Sequence, residues 1–578
     1  MDNTAIDCGE YIYSEEYRSY LIKYDNDLEG VNTVIEPDCI NIINNQFLVA
    51  YKRVTNLNNA YIYGYNSLPK CFGLMDTTAM ESIGADVVRT LPGLELTGKD
   101  VLVGFVDTGI DYTNPLFSGV DGRTRIEYIW DQNENVYGFA SSIFGYGAEF
   151  SKEDIDRAND SDNPFDIVPV RDDNGHGTFL ASVAVGRVKE DEPFSGVAPE
   201  CSIAVVKLKP AKDNLTNYMF IPEDAICYSE EDIILGVKYL VNKAVELDKP
   251  LVICLGVGTS QGDHSGNTNL ELYINTLSNL RGVCVVSCAG NELGTGGHFS
   301  GNNRINTTDA TDEVEISVGE NNEGFVMEIW GNAPSLLAIS ILSPTGEKRG
   351  NISPIRDGRT RLTFLYEGTE VYVDNFVVDS NTGDPHIVLR FVNPAEGIWT
   401  INVEEASGTI GGGFDAWLPI EQFRNSQLEF VRSDPDITVC APGTGKGVIC
   451  IGGYNHLNNS LYINSSRGFT RKGHIRPDVV APAVNVYGAF VPTSGSSTET
   501  LYIRKSGTSV ASAITTGAVA LILEWALVKG GNPGISTEVI RQLIIRGSEQ
   551  VAEVSYPSKA WGWGVLNLLE VFNSIREL

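Results

Sequence analysis

Continuous apolar runs alternate with stretches of helical period through much of the chain. VLVGFVD (101–107), CSIAVVK (201–207), PLVICLG (250–256) and GVCVVSC (282–288) are unbroken apolar segments, the pattern of strands covered on both faces. GTFLASVAVGR (177–187) and SEEDIILGVKYLVNKAVEL (229–247) carry helical period between them, the second with Ser229 as its expected cap. Strands alternating with helices in this way predict a parallel α/β sheet with flanking helices.

The period changes in the middle of the chain. VEISV (314–318), FVMEIWG (325–331), LLAISILSP (336–344), RTRLTFLYEG (359–368), EVYVDNF (370–376), HIVLRFVNP (386–394) and GIWTINVEEA (397–406) are short β runs separated by turn signals such as SPTGE and NTGD. They predict an all-β sandwich or jelly roll. Apolar strands and a long helix return afterwards, so the β module is an insertion in the α/β domain. At the start, CINIINNQFLVAYKRV (39–54) reads as two strands around an Asn-Asn-Gln turn, and AYIYGY (60–65) as an extended end to a small α+β unit. The expected divisions are 1–65, 66–310, 311–420 and 421–578.

Composition narrows the function classes. The 578 residues carry a net charge of −33, which disfavours nucleic acid and anionic membrane surfaces as partners. MDNTAIDCGEYIYSEEYRSY has no basic start followed by an apolar stretch, hence no signal-peptide pattern. The longest apolar run, ASAITTGAVALILEWALV (511–528), includes Thr515, Thr516 and Glu524, and is read as a buried helix rather than a transmembrane segment. None of the ten cysteines forms a Cys-x-x-Cys pair or a zinc spacing; several in apolar runs, such as Cys254 and Cys284, read as small buried residues, and without a signal-peptide pattern a reduced, cytoplasmic setting is expected.

Four short segments carry candidate chemistry. Asp107 ends an apolar strand in VDTGID, where an aspartate is also an ordinary turn former. His176, one of only six histidines, lies between two glycines in NGHGT and opens an apolar helix. Asn291 follows a buried strand in AGN, alone no more than a turn signal. Ser509 opens the long apolar helix in SGTSVASA. A serine becomes a useful nucleophile when an imidazole takes its proton and a carboxylate orients the imidazole. An amide such as that of Asn291 can donate to an oxyanion.

The order Asp, His, Asn, Ser is that of the subtilisin arrangement. With RPDVVAPAVNVYG (476–488), the chain resembles the subtilase family over 70–310 and 425–578. The resemblance implies a subtilisin-like fold and serine endopeptidase chemistry, with Asp107, His176 and Ser509 as the triad and Asn291 in the oxyanion hole. It also implies that Leu255, Gly256 and Val257 pair with extended substrate, and that Ala289 and Gly290 help to wall the first specificity pocket. No cofactor or metal is required. The acidic stretch 153–163 reads as a solvated loop that could hold calcium, with no ligand set assignable.

The N-terminal unit and the β insertion together resemble the clostridial Csp-type germination proteases, spore subtilases that activate a cortex-lytic hydrolase by removing its propeptide. That resemblance implies a spore-associated location and a prodomain at 1–65, acting as chaperone and inhibitor. AYIYGY would then lie in the substrate cleft, with autoprocessing near Tyr65 and Asn66 ahead of a Phe72-Gly73 pair. The expected partners are protein or peptide substrates and the chain's own prodomain. The alternatives are a catalytically silent scaffold or receptor, and a general intracellular peptidase.

Overall fold

A computed structural model describes residues 8–55, 60–74, 83–133, 144–187, 195–301, 311–352, 358–405, 412–425, 427–491 and 502–576. Seven parallel strands form the centre of the molecule, in the spatial order Val479–Pro482, Ile449–Asn455, Val283–Cys288, Leu251–Leu255, Leu102–Asp107, Ser202–Lys207 and Ile126–Asp131. Ala148–Ser151 extends one edge antiparallel, and Ser460–Leu461 pairs antiparallel with Ile449–Asn455.

Alternate residues of these strands feed two cores. Val103, Phe105, Val205, Val252 and Val286 face helices His176–Val185 and Thr508–Leu523. Leu102, Val106, Val206, Ile253 and Val285 face helices Glu230–Glu246 and Asn269–Leu277. Burial on both faces explains why the strands read as unbroken apolar runs. The segment Thr508–Val528 is long and apolar enough to cross a membrane, but it is mostly buried within this core.

Two local expectations fail. Ser229 makes no side-chain cap bond to the helix it precedes; its hydroxyl donates to Glu231 instead. The acidic stretch is not a loop at its start. Lys152–Asn159 is a helix, and Ser151 and Asp154 close a capping box that satisfies its first amides.

The N-terminal unit is an antiparallel sheet with Phe47–Arg53 between Tyr17–Lys23 and Cys39–Ile42, accompanied by helices Gly9–Tyr13 and Leu28–Val34. Cys8 and Cys39 are joined as a disulfide, against the expectation that every thiol is reduced; the other eight cysteines are free and buried. Among the described residues the all-β part has a six-stranded and a five-stranded antiparallel sheet. They share one core that includes Phe325, Ile339, Phe391 and Trp399. Its strands run from His298 to Phe430, wider than 311–420.

Candidate active site

Three elements converge at the C-terminal ends of the parallel strands. Asp107 is the last residue of a central strand, His176 the first residue of one helix, and Ser509 the second residue of another. Gly175, just before His176, has φ +80°, a conformation glycine adopts without penalty. His176 Nδ1 lies 2.7 Å from Asp107 Oδ1, and His176 Nε2 lies 3.3 Å from Ser509 Oγ. All three side chains are buried.

A second carboxylate braces this relay. Asp172 Oδ1 accepts hydrogen bonds from Thr108 Oγ1 (2.7 Å) and Gly175 N (2.8 Å). Its Oδ2 accepts from Thr178 N (2.8 Å) and Thr178 Oγ1 (2.6 Å). Thr108 follows Asp107 and accepts from Gly177 N at 2.9 Å. One buried carboxylate thus ties the turn after Asp107 to the helix start that carries His176. Sequence reasoning passed over Asp172; the available signal was an aspartate four residues before the histidine.

Asn291 is fixed by the nucleophile helix itself. Its Oδ1 accepts from Thr508 N and Thr508 Oγ1, both at 3.1 Å. Thr508 Oγ1 in turn accepts from Gly290 N at 3.1 Å. The neighbouring thiols are not rival nucleophiles, because burial pushes Cys254 and Cys288 up to about 12.

Gly256 sits against the relay, where an added Cβ would lie 3.1 Å from both Asp107 Oδ2 and His176 Cε1. The next residues, Val257–Gly258, pair antiparallel with Cys71–Leu74, which on its other edge pairs with Tyr228–Ser229. Leu74 is opposite Val257, the residue after Gly256. Beside this three-stranded arrangement opens a cleft of about 780 Å³, bordered by Thr108, Asn174, Leu208 and Tyr228.

Tyr65 and Asn66 are elsewhere. Residues 60–63 form a turn and Tyr65–Ser67 a single 3-10 turn rather than an extended strand. Tyr65 donates to Glu328 Oε2 at 2.6 Å, and its ring meets Trp330 and His386 edge-on. Asn66 Nδ2 donates to Asp379 Oδ2 at 2.7 Å, while its carbonyl accepts from Asn269 Nδ2 at 2.5 Å. Tyr61 and Tyr65 are held by aromatic residues of the β module, Tyr63 packs on Tyr20 of the N-terminal unit, and the strand that pairs with Val257–Gly258 includes Phe72 and Gly73 instead.

The subtilase family model matches residues 98–387 and 425–564. The serine protease AprX of Bacillus subtilis is 31% identical over 133 residues, covering 21% of this chain and 29% of the relative. The subtilisin-like protease SBT3.8 of Arabidopsis thaliana is 23% identical over 502 residues, covering 78% of this chain and 60% of that one. Each alignment thus spans less than two thirds of the relative. The solved structure of the Clostridium perfringens CspB protease is 29% identical, with a TM-score of 0.74, over 86% of this chain and 98% of that one. The family match extends over most of the chain and takes in Asp107, His176, Asn291 and Ser509, so the protein belongs to the subtilase family.

Proposed function

We propose that the chain is a serine endopeptidase, and the observation that carries this reading is the buried Ser509–His176–Asp107 relay at 3.3 and 2.7 Å. His176 Nε2 takes the proton of Ser509 as Oγ attacks the peptide carbonyl, forming a tetrahedral intermediate. The bond between carbonyl carbon and nitrogen then breaks, and His176 returns the proton to the leaving amine. Water repeats the sequence on the acyl-enzyme. Asp107 keeps the imidazole in the tautomer with its proton on Nδ1. The oxyanion is met by the Ser509 backbone N–H at the helix N-terminus and by Asn291 Nδ2, since Asn291 Oδ1 already accepts from Thr508.

In this reading the N-terminal unit is a prodomain and Cys71–Leu74 is the strand it leaves in the cleft. The chain cuts itself after Leu74 rather than at Tyr65–Asn66, because residues 73–74 pair with 257–258, next to the Gly256 that abuts His176. The all-β module is taken as the jelly roll of the Csp-type layout. The likeness to the CspB protease makes the propeptide of a spore cortex-lytic hydrolase the proposed physiological substrate. The test is to profile new N-termini in a peptide library treated with wild type and with Ser509→Ala. Cleavage by wild type alone supports the reading; equal cleavage by both, or by neither, overturns it.

A further inference from the structure

The loop that carries Asn291 is held from outside the α/β domain. Beyond Asn291, Glu292 is buried and its backbone N–H donates to Ser466 Oγ at 3.0 Å. Glu292 Oε2 accepts from the backbone N–H of Glu421 at 3.1 Å and from Thr295 Oγ1 at 3.3 Å, and lies 3.7 Å from Arg424 Nη2. Glu421 and Arg424 lie between strands Phe414–Trp417 and Leu428–Phe430 of the all-β module. Both fall outside the residues matched by the family model, which resumes at 425.

Arg424 is shaped to the loop. Its Nη1 donates to Thr295 O at 2.6 Å, its Nη2 to Thr295 Oγ1 at 3.4 Å, and its Nε to Pro419 O at 2.7 Å. The side chain is 5% exposed. It lies so close over Gly297 that a Cβ there would collide with Nη2. A planar guanidinium with this many fixed acceptors loses little further freedom when it clamps a loop. An oxyanion donor helps only if it stays within about 0.5 Å of the productive position.

We propose that Arg424 is a positioning residue for the oxyanion site: it holds Glu292 and Thr295, and through them the amide of Asn291. The β module then completes the catalytic centre as well as packing against it. Burial raises the Glu292 carboxyl above its ordinary range and Arg424 opposes this, so the pair supports the clamp as well as the bonds to Thr295.

This inference rests on the endopeptidase reading, and a double-mutant cycle separates the two. Hydrolysis of a library-derived peptide is measured for the full chain, for Arg424→Ala, Arg424→Lys and Asn291→Ala, and for the Arg424→Ala, Asn291→Ala pair. Arg424→Ala should lower kcat about tenfold with KM changed less than about twofold, and Arg424→Lys should recover part of the loss. In the Asn291→Ala background Arg424→Ala should cost less than about twofold, because there is no amide left to position. Equal losses in both backgrounds, or a loss confined to KM, overturns the inference while leaving the endopeptidase reading intact. No Ser509-dependent hydrolysis by wild type refutes both. If Arg424→Ala does not fold, Glu292→Gln serves in its place: it keeps the acceptor for Glu421 N–H and removes the charge, and its loss should likewise shrink in the Asn291→Ala background.

Discussion

Replacing Asp172 with asparagine separates a buried brace from an ordinary acidic residue. Its carboxylate receives four donors, two on each oxygen. An asparagine keeps one accepting oxygen and turns a donating amide towards the other pair. The two threonine hydroxyls can rotate, but Gly175 N and Thr178 N cannot. Either orientation therefore leaves one buried backbone N–H facing a donor, at about 1–3 kcal/mol, and also removes the charge that strengthened the remaining bonds. We expect Asp172→Asn to destabilise the protein by about 3 kcal/mol in urea unfolding. It should also lower kcat about tenfold, because Thr108 and Gly175 adjoin Asp107 and His176. The neighbouring Asp173 is the control. Its side chain is 80% exposed and only 3.5 Å ion-paired with Lys207, so Asp173→Asn should cost less than about 1 kcal/mol. Equal stability and equal kcat for the two variants would refute the assignment of Asp172 as the brace.

Three further substitutions test other parts of the account. Gly256→Ala should abolish peptide hydrolysis while the protein remains folded by circular dichroism, since its Cβ would press on Leu180, Asp107 and His176 at 2.5–3.1 Å. Thr508→Val keeps the shape but removes the hydroxyl between Asn291 and Gly290; kcat should fall about tenfold and stability by about 1–2 kcal/mol in urea unfolding. His264 is stacked on Trp417 at 4.1 Å, and burial lowers its pKa to about 4 although both ring nitrogens face carbonyls at 2.9 Å. The unfolded chain takes up this proton near pH 6.5, so stability should fall as pH drops from 6.5 to 4, by about 3 kcal/mol for this residue. Glu271, raised to about 7 by burial, acts in the opposite sense but equally in wild type and in His264→Gln. The difference between their urea midpoints at pH 7 and pH 4.5 therefore isolates the histidine.

The parts of the structure legible in the sequence are those set by local pattern. Unbroken apolar runs such as VLVGFVD and GVCVVSC mark strands covered on both faces; Asp107 and Asn291 stand at or just past the ends of such strands, and His176 and Ser509 at the starts of apolar helices. What could not be read depends on partners distant in the chain. AYIYGY has strand-forming residues, but Tyr61 and Tyr65 find an aromatic wall at Trp330, Phe376 and His386, and Tyr63 turns to Tyr20. Cys71–Leu74 is extended because two edges, Tyr228–Ser229 and Val257–Gly258, lie on either side of it. Asp172 looked like one more acid before a glycine, since only burial among four donors distinguishes it from Asp173. The Cys8–Cys39 pairing could not be read from spacing, because it depends on how the first helix lies on the sheet.

Ser509 is proposed to cut peptide bonds, among them one of the chain's own after Leu74. Intact-mass and N-terminal analysis of wild type and Ser509→Ala, expressed and purified side by side, tests this most directly. Wild type should show a new N-terminus shortly after Leu74, and Ser509→Ala should remain an uncut chain. The same cut in both proteins, an uncut wild type, or a cut at Tyr65–Asn66 would contradict it.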